Sequence, residues 1–147
     1  MPAKIIIEEV RTPEVLRKAQ AIREQIFVVE QGIPRELEQD GQDAASIHVL
    51  ALYDGAPAAT GRLTMTSDRE GVLARIAVLP DYRGKGLGKR VVQRLEALAR
   101  REGLATVSLK PHHYLEDFYQ KMGYATVPGS FSTAGPHPLL TMTKPLS

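Results

Sequence analysis

Residues 78–89, reading Val-Leu-Pro-Asp-Tyr-Arg-Gly-Lys-Gly-Leu-Gly-Lys, limit the possible fold more than any other stretch of the chain. A β-branched run precedes them, and a helical stripe of Leu87, Val91, Leu95 and Leu98 follows, so the segment predicts a strand-to-helix turn. Gly84, Gly86 and Gly88 alternate through it. With no Cβ at these positions, the backbone can approach an anion closely and present its N–H groups. The helix behind adds roughly half a positive charge at its N-terminus, and Arg83, Lys85 and Lys89 add full charges. Strand, glycine-rich turn and helix start together predict an anion site whose natural guest is a diphosphate.

Two common phosphate motifs do not account for this turn. A P-loop places four residues between its first glycine and a Gly-Lys pair followed by Ser or Thr. Here Gly84 to Gly88 encloses three residues, and Arg90 follows Lys89. A dinucleotide-binding turn needs Gly-x-Gly-x-x-Gly near the first strand of a βαβ unit. Here the pattern is Gly-x-Gly-x-Gly, after three strands in a row.

Upstream, residues 4–10 centre on Ile5, Ile6 and Ile7 and predict a strand. Thr12 can cap a helix that Pro13 opens, and Val15, Ala19, Ile22 and Ile26 give that helix one apolar face. Gly32, Ile33 and Pro34 end it. Residues 35–43 carry Glu36, Glu38, Asp40 and Asp43 and predict an acidic surface loop. Residues 47–53, 58–66 and 72–79 predict three strands with short connections, hence an antiparallel meander. The long helix after the turn closes at Gly103. A strand over residues 105–109 follows, then a helix carrying Leu115, Phe118, Tyr119 and Met122 that Gly123 closes, and strands over residues 124–127 and 139–143. The order β-α-β-β-β-α-β-α-β-β predicts one α/β domain of the α+β kind over residues 1–147, a mixed, mostly antiparallel sheet with helices on both faces.

Composition removes several function classes. No cysteine is present, which excludes a disulfide scaffold, a thiol nucleophile and a thiolate metal site. His48, His112, His113 and His137 lack the spacing of a known ligand set, so no metal is expected. No apolar run approaches the roughly 20 residues of a membrane span, and residues 1–5 lack the apolar region of a signal peptide, so the expected location is cytoplasmic, without a membrane partner. The net charge is only +2, and the basic turn has one tyrosine. Nucleic acid is therefore not an expected partner.

Arg83-x-x-Gly86-x-Gly88 resembles the coenzyme A-binding signature Q/R-x-x-G-x-G/A of the GNAT family of N-acetyltransferases. Glu116-Asp117-Phe118-Tyr119-Gln120-Lys121-Met122-Gly123-Tyr124 is similar to the family's second marker, a helix with Phe-Tyr that closes in Gly-Phe or Gly-Tyr. The resemblance covers essentially the whole chain. Arg23-x-x-x-Phe27-Val28-Val29-Glu30-Gln31-Gly32-Ile33-Pro34, with Glu38, Asp40, Asp43, His48 and the tail Gly135-Pro136-His137, resembles a branch of small bacterial acetyltransferases whose first helix carries Phe-Val-x-Glu-Gln. Two positions depart from the family pattern: His112 stands where Asn or Gln is common, and Leu115 where a small Ala is usual.

The resemblance implies the acyl-CoA N-acyltransferase fold, with acetyl-CoA as cosubstrate. It also implies a primary amine acceptor, on a small molecule or a protein, and a monomer or homodimer. Pantetheine would pair with the strand edge at Ile76, Ala77 and Val78, and the diphosphate would meet Arg83, Gly84, Lys85, Gly86, Leu87, Gly88 and Lys89. His112 and Phe118 would complete the cofactor contacts. The Val78 N–H would polarise the thioester carbonyl, and Tyr119 would protonate the departing thiolate. Phe27, Glu30, Gln31 and His48 are candidates for the acceptor side. Glu30, Glu38, Asp40 and His48 all stand open as the proton acceptor, and the acidic loop fits a cationic or amine acceptor. A non-catalytic acyl-CoA sensor would carry the same cradle, and Tyr119 separates the two.

Overall fold

The computed structural model describes residues 2–134 and 136–146. β1 (Ile5–Glu9) leads into α1 (Pro13–Arg23), which starts where Thr12 Oγ1 accepts the Val15 N–H at 3.2 Å. Pro13 occupies a first-turn position where its missing N–H costs nothing. The helix then widens: Glu24–Glu30 forms a π-helical extension, a geometry frequent at functional sites. Residues 35–43 are not simply a loop, because α2 (Arg35–Glu38) forms within them. The meander follows as β2 (Ile47–Tyr53), β3 (Ala56–Met65) and β4 (Glu70–Val78). After the glycine-rich turn come α3 (Leu87–Arg101), β5 (Thr106–Leu109), α4 (Glu116–Gln120) and β6 (Ala125–Thr126).

The tail departs from expectation. A separate hairpin forms from β7 (Ser132–Ala134) and β8 (His137–Leu139) before β9 (Met142–Pro145). The single strand read over residues 139–143 is split. The Leu140 N–H turns away to the Pro111 carbonyl at 3.0 Å, and the Thr141 carbonyl accepts from the Val127 N–H at 2.9 Å.

The main sheet runs β1-β2-β3-β4-β5-β9-β6, antiparallel throughout except for the parallel β4–β5 pair. Strand alternation gives it two apolar faces. Val49 and Ala51 point to one side, where Leu63, Leu73, Leu87, Val91, Leu95 and Leu98 join them beneath α3. Leu50 points to the other, against Ala19, Ile22 and Ile26 of α1 and its extension. Each buried Leu or Ile contributes about 1.5–3 kcal/mol. The helices therefore cover both faces, as the sequence pattern predicts.

The site depends on an irregularity in β4. Between its pairings with Thr60 and Arg62, β3 advances two residues while β4 advances three, from Ala77 back to Ala74. The extra residue makes a β-bulge, and Arg75 takes a positive φ of 56° there. β4 pairs with β5 only from Glu70 to Val72. Beyond the bulge the two strands part, and the far half of β4 has an open edge.

Candidate active site

Two backbone features meet at the end of that open edge. Val78 faces Ala59, and the Leu79 N–H donates to the Ala58 carbonyl at 2.9 Å. That pattern makes Val78 a wide-pair residue, so its own N–H points away from β3 and into the gap. The Val78 carbonyl lies on the same side and accepts from Arg83 Nε at 3.1 Å. Next, Gly84 and Gly86 adopt φ of 77° and 76°, and Gly86 occupies the N-cap of α3. Among the described residues, no side chain caps this helix, and no acid sits in its first turn, so its leading N–H groups and positive dipole end face outward. Lys85 Nζ stands 5.4 Å from the Tyr53 ring centre. Lys89 is exposed, and Leu87 is buried in the core, where only its backbone can serve a ligand.

The gap opens into a cavity of about 480 Å³. Ile76, His112 and Tyr119 line it on the sheet side, and Phe27 and Gln31 line it from the π-helical extension. Tyr119 is 5% exposed, and its hydroxyl makes no hydrogen bond among the described residues. Burial pushes its pKa up to about 12, so it keeps its proton at neutral pH. Phe118 packs edge-on against Tyr119 at 5.0 Å but stays outside the cavity wall. Burial, then the charges of His137 and His113, hold His112 below the ordinary imidazole value.

The acidic segment is not the solvated loop that its composition predicts. Arg23, 1% exposed, donates to Glu38 Oε2 and to both oxygens of Asp43 at 2.9 Å. Arg62 reaches Asp40 at 2.7 and 3.0 Å and Asp43 at 3.0 Å, and Arg75 reaches Glu38 at 3.1 Å and Asp40 at 3.3 Å. Three arginines thus answer three carboxylates. Hydrogen bonds from Arg62 draw Asp40 down to about 2. Burial would raise Asp43, but hydrogen bonds from Gln20 and Arg23 outweigh it and hold the group well below the usual carboxylate range. These acids are committed to their own chain, which removes the charge argument for a cationic acceptor.

Two other candidates also land elsewhere. His48 is absent from the cavity wall; its Nε2 meets the Asp43 carbonyl at 2.9 Å, and burial lowers its pKa. Glu30 lies outside the wall and pairs with Arg83 at 2.9 Å. Ala77 packs its side chain toward α1 on the opposite face. Of the tail Gly135-Pro136-His137, Gly135 lies outside the described residues, while Pro136 and His137 line the cavity. Sequence reading missed Arg62 and Arg75 as wall residues. No local signal marks them, because each gains its partners through strand register. Among the described residues, no group of three or more His, Cys, Asp or Glu is arranged to hold a metal ion.

Residues 16–124 match the model of the acetyltransferase (GNAT) family. A Bacillus subtilis protein provisionally named an acetyltransferase is 34% identical over 139 residues, which cover 92% of this chain and 94% of its own. The uncharacterized N-acetyltransferase YjcF of Bacillus subtilis is 36% identical over 115 residues, covering 78% and 81%. Among solved structures, an acyl-CoA N-acyltransferase from Pseudomonas aeruginosa is similar with a TM-score of 0.83 and 25% identity, over 97% of this chain and 99% of that one.

Proposed function

The chain belongs to the acetyltransferase (GNAT) family, and we propose that it moves an acetyl group from acetyl-CoA to a primary amine by direct attack in a ternary complex. The observation that carries this reading is the open β4 edge, which runs between an uncapped helix N-terminus and a cavity holding an unpartnered tyrosine hydroxyl. The diphosphate would rest on the N–H groups of residues 84–89, with Lys85 and Lys89 alongside. Pantetheine would lie along Ile76 and Val78, within reach of His112. The Val78 N–H would face the thioester carbonyl, where one such donor is worth about 3 kcal/mol in the transition state. Tyr119, still protonated at neutral pH, would supply the proton that the leaving thiolate needs. The chain has no cysteine to form a thioester intermediate, which favours direct attack. The acceptor would enter from the side of Phe27 and Gln31, as a small molecule or an exposed amine on a protein.

A sensor would need the cradle but not the cavity beyond it, and the cavity favours the enzyme. Thiol release from acetyl-CoA, screened against alkylamines, amino acids, aminosugars and peptides, tests the reading. Turnover with at least one class is expected. Binding of acetyl-CoA with no release above hydrolysis for any class would leave only the sensor. Among the described residues, no helix is long and apolar enough to cross a membrane.

A further inference from the structure

Gln31 and His137 line one wall of the cavity, and each carries a hydrogen-bond acceptor without a partner among the described residues. Gln31 Oε1 is buried and has no partner among the described residues. His137 Nε2 lies 3.1 Å from the Gln31 carbonyl oxygen. A carbonyl can only accept, so Nε2 carries the proton and Nδ1 keeps a free lone pair. Nδ1 makes no hydrogen bond among the described residues. Both residues line the cavity that Ile76 and Tyr119 also line. The arrangement is that of a base whose tautomer and ring orientation are set by a third group. Glu38, Asp40 and Asp43 are held by arginines and Glu30 by Arg83; His48 Nδ1 has no partner among the described residues but lies off the cavity wall, and His112, on the wall, makes no hydrogen bond among the described residues that would fix its tautomer.

We propose that Gln31 and His137 dock the acceptor's amine, with the Gln31 side chain turning so that Oε1 accepts one N–H and His137 Nδ1 removing the proton that blocks attack. This rests on the acetyltransferase reading above. An alkylammonium gives one proton to Nδ1, and the freed lone pair forms the C–N bond at the thioester carbonyl. Collapse breaks the C–S bond, and the Tyr119 hydroxyl protonates the sulfur. The second proton shed by nitrogen restores Tyr119, and the imidazolium proton passes to water. Ammonium and acetyl-CoA thus become amide, free thiol and one released proton.

The test compares wild type, His137→Gln and Gln31→Leu in thiol release with primary alkylamines and with matching alkoxyamines, which arrive uncharged at neutral pH. His137→Gln should lower kcat for alkylamines on the order of 10²- to 10⁴-fold, while the alkoxyamine rate falls far less and acetyl-CoA affinity by calorimetry is unchanged. Gln31→Leu should raise the amine KM about five- to tenfold, because its backbone carbonyl still orients His137. Equal losses for both acceptor types, or no loss, overturn the inference and leave the acetyltransferase reading standing. A wild type that ignores acetyl-CoA overturns that reading itself. Should no tested amine turn over, nitrogen NMR of the wild-type ring decides. A proton on Nε2, with an Nδ1 shift on adding 2-phenylethylamine to the coenzyme A complex, supports the assignment; a proton on Nδ1, or no shift, ends it.

Discussion

Gly86 has a φ of 76°, yet a Cβ built on it would meet nothing within 4 Å. The space is open and the backbone is not, so the two consequences of a side chain there can be measured apart. Gly86→Val should cost about 1–2 kcal/mol of stability from the left-handed backbone, read as a shifted urea midpoint. It should separately abolish acetyl-CoA binding by calorimetry, because the branched Cβ stands where the diphosphate would lie. A variant that binds as wild type does would remove the cradle from the reading. Tyr119 gives the opposite separation. Burial alone, with no hydrogen bond, acts on its hydroxyl, so Tyr119→Phe should leave stability within about 1 kcal/mol of wild type. The same change should lower kcat on the order of 10²-fold or more, with acetyl-CoA affinity retained. Release unchanged with every amine would return Tyr119 to the status of a core aromatic.

Between elements, β3 comes close to α3 at Gly61. A Cβ on Gly61 would lie 2.6 Å from Val91 Cγ1 and 2.8 Å from Leu95 Cδ1. Both side chains are wholly buried, so neither can move without disturbing the core. Gly61→Ala should therefore destabilise by about 1–3 kcal/mol, seen as a lower midpoint in urea with an unchanged slope. Gly61 passes unremarked in a sequence, because its constraint comes from a helix about thirty residues later. The same reasoning separates what was legible from what was not. Val15, Ala19, Ile22 and Ile26, and Leu87, Val91, Leu95 and Leu98, repeat at helical spacing; these local periods exposed the two helix faces that pack on the sheet. The phosphate turn was legible because its glycines, charges and helix start are contiguous. Arg62 and Arg75 were not, since their carboxylate partners lie 22 and 37 residues away and are delivered by register. The bulge that gives Arg75 its φ of 56° left no mark either, because the extra residue exists only relative to β3.

At the scale of the whole molecule, the six-charge cluster ties α1, α2, β3 and β4 together beside the cavity, and it makes the fold sensitive to acid. Asp40 is held near 2 and Asp43 is held well below the usual range, whereas in the unfolded chain both would titrate near 4. Between those values the unfolded state binds more protons, so stability falls as pH falls from about 4 toward 2. His48 and His112 act at higher pH with the same sign. Burial holds both below the ordinary imidazole value, so the unfolded chain takes up protons first once the pH drops through about 6.5. Tm should be level between about pH 7 and 9, decline gently below 6.5 and steeply below 4. Asp40→Asn should lower the plateau, because Arg62 is buried and loses a partner, and should shallow the steep limb by removing one titrating group. Burial further sets the salt response: surface ion pairs are screened at 1 M salt, whereas this cluster should keep most of its acid limb. A Tm level from pH 7 to 3, or an acid limb erased by salt, would mean that the carboxylates are solvated after all. The sheet would then have to hold α2 and the cavity wall by apolar contacts alone.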